Sequence, residues 1–422
     1  MKHLRFYSIL CLVLFFCSCS DDNYLNVIPA ESTALVSVDV VGAASQSKGV
    51  SANLLKSLFR VSDVAECGLD LSAKVYLFET VDGTLGVAAR VKNESKLNDW
   101  LNRLADKGIC QKTQKRRDLH FTLLRQSWMV GFSDDALLLM GPVVATQQSE
   151  LMRTMMRYLK ADEGIKSTLL YEKVQSLTTP VAVVAQAQSL PQQLIAPFTI
   201  GVPTAADASQ VMIAAEMQNV NGCLVLSGET FSFDASIDAA LKNTQQLYRP
   251  LTDEYLSVIP RQSVFAIAMN ANGHALLPLM RQSREFKALL TGVGMKIDID
   301  NFIEQIDGDL VLAVPAYDEE NMDLRWAAKL MPNRNPLDEA SEDQLRKSQM
   351  TVTDQPLPDA VVNTLKGSQM AVMLNLQAVG GDKQEIISIF SSLLRPLFGK
   401  VDYIIYRGGR KQTGIHQLIG NN

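Results

Sequence analysis

Two spacings of apolar residues run through this chain. Trp128, Val130 and Phe132 occupy alternate positions, as do Leu324, Trp326, Ala328 and Leu330, and a period of two marks strands. Leu97, Trp100, Leu101 and Leu104 recur at three and four, the spacing of a helix with one buried face. Two glycine turns punctuate the pattern. Asn221-Gly222 joins Val211–Met217 to Cys223–Ser227, and Gly408-Gly409 joins Val401–Tyr406 to Gly414–Ile419. Asn-Gly and Gly-Gly supply the positive φ that both central residues of a tight hairpin turn need. A meander over Leu119–Met140 and a helix over Gln147–Leu159 complete the outline. Strands that outnumber helices and come in hairpins predict an α+β class, with antiparallel sheets and helices packed on one face.

The pattern occurs twice. Tyr24–Val40 reads YLNVIPAESTALVSVDV and Tyr255–Met269 reads YLSVIPRQSVFAIAM. Both hold Tyr-Leu-x-Val-Ile-Pro, two further residues, a serine and an apolar strand. A helix-rich stretch follows each, Ala52–Val64 and Leu276–Thr291, and then a strand, Lys74–Phe78 and Asp309–Val314. Further on, Pro180–Gln186 parallels Gln369–Asn375, and each copy closes on one of the hairpins. We read an internal duplication into two related lobes, 24–235 and 255–422, joined by a helical linker at 236–254. The period is far too long for a solenoid. A polar insertion in the second lobe, Pro332–Pro358, predicts an exposed loop with one short helix.

The first 22 residues follow another logic. Lys2 and Arg5 precede an apolar run, Phe6 to Phe16, that ends in Cys17-Ser18-Cys19. A basic start, an apolar core too short to span a bilayer and small residues at its end describe a secretory signal over 1–18. Ending on a cysteine, it resembles the lipobox of bacterial lipoproteins. That resemblance implies cleavage before Cys19 and lipidation of its thiol, with 19–23 as a tether. About two or three acyl chains, at roughly 0.8 kcal/mol per buried CH₂, anchor a protein essentially permanently. Ser20-Asp21-Asp22 resembles the acidic signal that sends Bacteroides-type lipoproteins to the outer face of the outer membrane; its other reading is a solvated linker. The location expected is the outer membrane, with the cell surface favoured over the periplasmic face.

Asn26-Val27-Ile28-Pro29-Ala30, followed by a strand, resembles the opening element of a family of uncharacterised Bacteroides-type lipoproteins, a domain-of-unknown-function family. The resemblance covers most of the mature chain in layout. It implies an envelope lipoprotein and supplies no catalytic residue.

Composition narrows the function classes. With 47% apolar and 20% charged residues in 422, the chain is globular and long enough for two domains. Its net charge is −5, and loss of Lys2 and Arg5 with the signal makes the mature chain more acidic, so nothing drives it towards nucleic acid. No later run reaches the length of a membrane span. Once Cys19 is lipidated, Cys67, Cys110 and Cys223 remain, an odd number that allows at most one disulfide.

Candidate chemistry is sparse. His120, His274 and His416 have no metal-ligand spacing, and no nucleophile elbow, phosphate loop or dinucleotide fingerprint occurs. Cys110 with His120 would make a nucleophile pair lacking a third, orienting group. Asp298, Asp300, Glu304, Asp307 and Asp309 form the densest acidic stretch, but interleaved isoleucines favour a helix cap and a turn over a calcium loop. Asp318–Asp323 reads as a hairpin tip, with an ion site as the alternative. Asp307 with Asp309, or Asp134 with Asp135, would serve a hydrolase, yet all lie at turns where acids are common. Lys112, Lys115, Arg116 and Arg117 make one basic patch, read as a charged loop and alternatively as a lipid-phosphate contact. Trp100, Trp128 and Trp326 each have a core position. No cofactor, metal or catalytic residue is assigned.

The segment Leu190–Pro203, LPQQLIAPFTIGVP, carries three prolines that forbid a regular strand or long helix. Leu194, Ile195, Phe198 and Ile200 are nonetheless apolar. The second copy has an amphipathic stretch, Glu385–Leu397, at this point. Two arrangements fit: an irregular cover over its own sheet, or an exposed surface where a partner docks. The sequence therefore reads as a lipid-anchored envelope protein of unknown activity, a non-enzymatic binding module for a protein or envelope component. A structural or assembly role is the alternative, followed by a hydrolase.

Overall fold

The computed structural model describes residues 22–46, 56, 60–190, 192–284, 286–287, 298–315, 324–332, 337, 339–351, 353–379 and 399–409. Cys19, most of Ala52–Val64, Asp318–Asp323, Glu385–Leu397 and Gly414–Ile419 lie outside these residues.

The first half of the chain runs β1 (Ala34–Val38), α1 (Val40–Gln46), β2 (Val75–Glu79), β3 (Leu85–Arg90), α2 (Glu94–Asp106), β4 (Gln114–Arg116), β5 (Leu119–Leu124), β6 (Trp128–Phe132), β7 (Ala136–Gly141), α3 (Gln148–Tyr158), α4 (Leu169–Gln175), β8 (Val181–Gln186) and α5 (Gln192–Thr199). The second continues with β9 (Met212–Val220), β10 (Cys223–Phe231), α6 (Ala235–Gln245), β11 (Tyr248–Arg249), β12 (Phe265–Asn272), α7 (Gly273–Gln282), α8 (Ile299–Glu304), β13 (Ile306–Val314), β14 (Arg325–Leu330), α9 (Glu339–Ser348), α10 (Asp359–Leu365), β15 (Met370–Asn375) and β16 (Tyr403–Gly408). Within 236–254, the span expected as a linker, α6 runs to Gln245 and β11 then pairs with β12.

Two compact units emerge from the contacts, one of residues up to Ser32 together with Val61–Thr168, the other of Thr33–Arg60 with Leu169 onwards. The boundaries of these units differ from those of the expected lobes: β1, β8, β9 and β10 fall within the first expected lobe and within the second unit.

In the first unit the strands run β2-β3-β7-β6-β5-β4, every pair antiparallel. Asn93 caps α2 by accepting a hydrogen bond from the Lys96 amide at 2.9 Å. The helix sets Leu97, Leu101 and Leu104 against Val130, Phe132 and Leu137. On the opposite face, Gly131 lets the Phe121 ring and Leu159 close in: a Cβ there would lie 2.7 Å and 3.0 Å from them.

The second unit orders its strands β14-β13-β12-β15-β16-β10-β9-β8-β1. All neighbours are antiparallel except β10 and β16, which run parallel from Cys223–Gly228 against Tyr403–Gly408. Ile267 and Met269 of β12 face one core with Leu241 of α6, Leu276 of α7, Phe302 of α8 and Leu345 of α9. Ala266 and Ala268, between them in sequence, face another core with Val361 and Leu365 of α10. Helices therefore cover both faces, not the one face expected. A strand buried on both sides must be apolar at consecutive positions, and alternation alone does not reveal it.

The α+β class with a large antiparallel sheet is observed. The closing hairpin of the second copy needs correction, because β15 takes one edge of β16 and β10 the other. No edge is left for a hairpin partner.

The repeated opening elements adopt the same local geometry. The Ile28 amide donates to the Leu25 carbonyl at 3.1 Å and the Ile259 amide to that of Leu256 at 3.4 Å. Ile28 then accepts from the Ile165 amide at 2.9 Å, and Ile259 from that of Leu357 at 3.1 Å. Both isoleucines are 0% exposed. Each should therefore cost about 2–5 kcal/mol on truncation to alanine. Denaturant unfolding of Ile28→Ala and Ile259→Ala checks this, with Val81→Ala (69% exposed) as a control expected within about 0.5 kcal/mol. A loss below about 1 kcal/mol at either isoleucine contradicts its structural role.

Candidate functional site

Within the first unit, Cys110 and His120 do not form a pair. The Cys110 thiol donates to the Leu101 carbonyl at 3.2 Å, and its backbone bridges to Leu124. His120 turns its Nε2 to Glu94 at 3.2 Å and stacks on Phe132 with 4.9 Å between ring centres. Strand register separates them, since His120 lies opposite Lys115 and Phe132. Cys67, Cys110 and Cys223 are all free thiols. Burial pushes each pKa up, Cys223 to about 11, so the reactive thiolate is scarce at neutral pH.

The basic patch is a charged hairpin. Lys115 and Arg116 are exposed on β4, Arg117 takes the turn with φ 58°, and Lys112 pairs with Asp106. Asp118 follows at once and binds Lys160 at 2.8 Å, which interleaves negative charge with the positive. Asp134 and Asp135 occupy the exposed turn between β6 and β7.

In the second unit the acidic stretch is divided among structural partners. Asp298 caps α8 by accepting from the Asn301 amide at 3.1 Å, as the helix-cap reading expects. Asp300 pairs with Arg281 at 2.8 Å and Glu304 with His274 at 2.9 Å. Asp307 meets Arg249 at 2.8 Å near the surface. Asp309 is 2% exposed and accepts from the Thr252 amide at 3.0 Å, the Thr252 hydroxyl at 2.5 Å and Asn270 Nδ2 at 2.7 Å. Consecutive strand positions on a pleat point to opposite faces, but 307 and 309 share one; their different partners, rather than distance along β13, keep them from acting together. Among the described residues no group of three or more His, Cys, Asp or Glu could hold a metal ion.

Trp326 is buried edge-on to Phe302, with its indole N–H donating to the Leu345 carbonyl at 2.9 Å. The segment Leu190–Pro203 forms the short helix α5, with Pro197 inside it. Ile195, Phe198 and Ile200 are buried in the core shared with α6 and α7, so for these three the cover is the arrangement observed and an exposed docking surface is not. The Leu194 side chain lies outside the described ones.

Sequence reasoning missed a recess beneath α5 and α6. Phe198, Ile200, Leu241, Tyr248, Met370 and Tyr406 supply its apolar lining. Tyr406 meets Phe198 edge-on at 4.8 Å. Its hydroxyl is buried without a hydrogen-bond partner. Burial pushes that hydroxyl's pKa up, and the nearby Thr230 offsets only part of the effect. The Gly408-Gly409 pair at the rim was visible in the sequence, but it read as a hairpin turn.

Two outcomes test these assignments. Removing Asp309 strands the Asn270 and Thr252 donors, so Asp309→Ala should cost about 3 kcal/mol, against at most about 1 kcal/mol for the surface-paired Asp307→Ala. Equal losses in urea unfolding would contradict the structural role of Asp309. A thiol-specific chromogenic reagent at pH 8 should label the three cysteines only after denaturation; fast labelling of native Cys110 would revive the nucleophile.

Comparison with known proteins adds a family and little more. A family model described as a domain of unknown function (DUF4836) matches residues 43–321, more than half of the chain. No curated protein matches. Among solved structures, crystal form IV of TP0453 is similar at 11% identity and TM-score 0.27, over 39% of this chain and 64% of that one. Crystal form I gives 8% and 0.30 over 46% and 73%, and crystal form III 9% and 0.30 over 54% and 88%. The chain thus spans less than two thirds of the first of these, and TM-scores this low carry no argument about fold or function.

Proposed function

The chain belongs to the DUF4836 family, a domain of unknown function, and from that premise we propose a lipid-anchored envelope protein that binds a protein or envelope component without catalysis. The carrying observation is the amino terminus: a basic start, an apolar core and a closing Cys19. Lipidation at Cys19 would tether the mature chain to the outer membrane, and Ser20-Asp21-Asp22 favours display at the cell surface. The matched family residues begin after the Asn26–Ala30 element, so kinship with the Bacteroides-type lipoproteins rests on that element itself. Among the described residues no helix is long and apolar enough to cross a membrane, which leaves the anchor as the attachment this reading calls on.

The internal duplication belongs to the same proposal. Strand register supports it. Val38 pairs with Val181, the first residue of β8, and Met269 pairs with Met370, the first of β15. Gln186, which ends β8, pairs with Met212, which opens β9. Asn375 and Tyr403 repeat that relation for β15 and β16. Two runs of three strands thus share one alignment, as two copies of one ancestral unit would.

A structural role in envelope assembly is the second reading. Burial of Ile195, Phe198 and Ile200 favours it, because that burial removes the apolar surface that the sequence offered a partner.

Protease treatment of intact cells tests the proposal, with Cys19→Ala as the anchor control. The mature wild-type protein should fractionate with membranes and be shaved on whole cells, and Cys19→Ala should leave the membrane fraction. Retention of Cys19→Ala on membranes would overturn the lipid anchor. Protection until the outer membrane is broken would overturn surface display and favour periplasmic partners.

A further inference from the structure

We propose that Arg407 on β16 is an anion-binding residue, whose guanidinium takes a single carboxylate or phosphate group of a ligand. The site lies within the second unit and calls on neither Cys19 nor a membrane, so it stands or falls apart from the envelope reading.

Strand register places the residue. Cys223 and Val225 of β10 are buried in the core with Val361 and Leu365 of α10, so Ser227, Glu229 and Phe231 point to the same face. Ser227 pairs with Arg407 on one side and with Glu216 of β9 on the other, and directly paired residues share a face. Against β10 and β16 this face is covered by α10. Against β1 and β8 it is covered by α4, whose Lys173 reaches across to lie over the Phe231 ring at 4.5 Å. Ile405 is 0% exposed in the core with α10, whereas Arg407, one pleat further along β16, is only half-buried.

Charge on this face is left unbalanced at Arg407. Its neighbours are engaged elsewhere: Glu216 accepts from the Thr178 amide at 3.2 Å, and Glu229 binds Lys173 at 2.7 Å. Among the described residues no carboxylate pairs with Arg407, and burial alone acts on its pKa, pressing it down. Nε is enclosed without a partner, and Ser227 Oγ at the paired position is enclosed as well and gives it no acceptor. Only Nε is sealed off in this way; Nη1 and Nη2 keep their opening to solvent. Buried charges are ordinarily paired, because lost hydration must be replaced by a counter-charge. Here the chain supplies none.

The surroundings narrow the ligand class. The outward edge of a guanidinium offers two parallel N–H donors, which match two oxygens of one carboxylate or phosphate. Ala371, opposite Arg407 on β15, and Gly409, two residues further on, put no bulky side chain beside that edge. With Glu216 and Glu229 on the same face, the patch is not a basic surface, so one anionic group is selected and a polyanion is not. Arg407 sits inside a ladder paired on both sides, so its backbone is ordered before the ligand arrives.

Arginine ¹⁵N NMR on the mature chain tests the proposal, with sodium acetate, sodium phosphate and sodium chloride as probes at one ionic strength. The Arg407 Nε–H signal, identified by its loss in Arg407→Lys, should move saturably with acetate or phosphate and stay still in chloride. A response to acetate alone assigns a carboxylate ligand, to phosphate alone a phosphate ligand, and to both an oxyanion of either kind. No movement beyond that in chloride, up to roughly 50 mM probe, overturns the site. Thermal melting gives a second reading that needs no signal assignment. Acetate or phosphate should raise the wild-type melting temperature and leave that of Arg407→Met unchanged. In chloride Arg407→Met should melt about 2 °C higher than wild type, because an uncompensated charge has been removed. A melting temperature lowered by about 2 °C or more would show that Arg407 has a structural partner, and overturns the proposal.

Discussion

Between Cys223–Gly228 and Tyr403–Gly408 the second unit forms the one parallel ladder among its described strand pairs. On one side lie β9, β8 and β1, on the other β15, β12, β13 and β14, all antiparallel within themselves. Without this ladder each set would end in a row of unpaired amides and carbonyls, an edge that invites foreign strands. Gly222, in the turn before β10, and Asn219, near the end of β9, tie the junction further. Gly222 accepts from the Asp402 amide at 2.8 Å, and Asn219 Nδ2 donates to the Lys400 carbonyl at 3.0 Å.

That junction is also where polar groups go unsatisfied. Ser227 Oγ on β10, with Tyr406 Oη and Arg407 Nε on β16, are buried without hydrogen-bond partners. Burial presses the Arg407 pKa down. An unmade hydrogen bond in a low-dielectric setting costs more than a made one contributes, so these groups mark where packing overrode polar satisfaction. Residues whose chemistry looked suggestive elsewhere, Asp309, His120 and Cys110, are instead held by backbone or side-chain partners that give them structural work.

Covering both faces of one sheet sets the demands on the rest of the second unit. Ile267 and Met269 answer one core while Ala266 and Ala268 answer the other. On the second face α10 packs over β10 and β16, and the larger residues on the first face meet several short helices. Apolar burial of this kind carries α5 through Pro197, whose missing amide would cost an isolated helix about 3 kcal/mol.

Local chemistry made part of this architecture legible in the sequence. Asn221 at φ 52° and Gly222 at φ 85° form the turn that Asn-Gly predicts, because few residues tolerate that backbone. The spacing of Leu97, Leu101 and Leu104 gave α2 its buried face, and Asp298 its role as a cap, since both depend on neighbours within one or two helical turns. The Tyr-Leu-x-Val-Ile-Pro repeat likewise announced two elements of one geometry. What only the tertiary structure decided involves residues far apart in the chain. The meeting of β10 with β16, the loss of a free edge at Gly408-Gly409, the second face of cover and the recess at Tyr406 all join segments well separated in sequence. Periodicity records which side of a strand is apolar; it holds no record of which distant segment that side, or that edge, will meet.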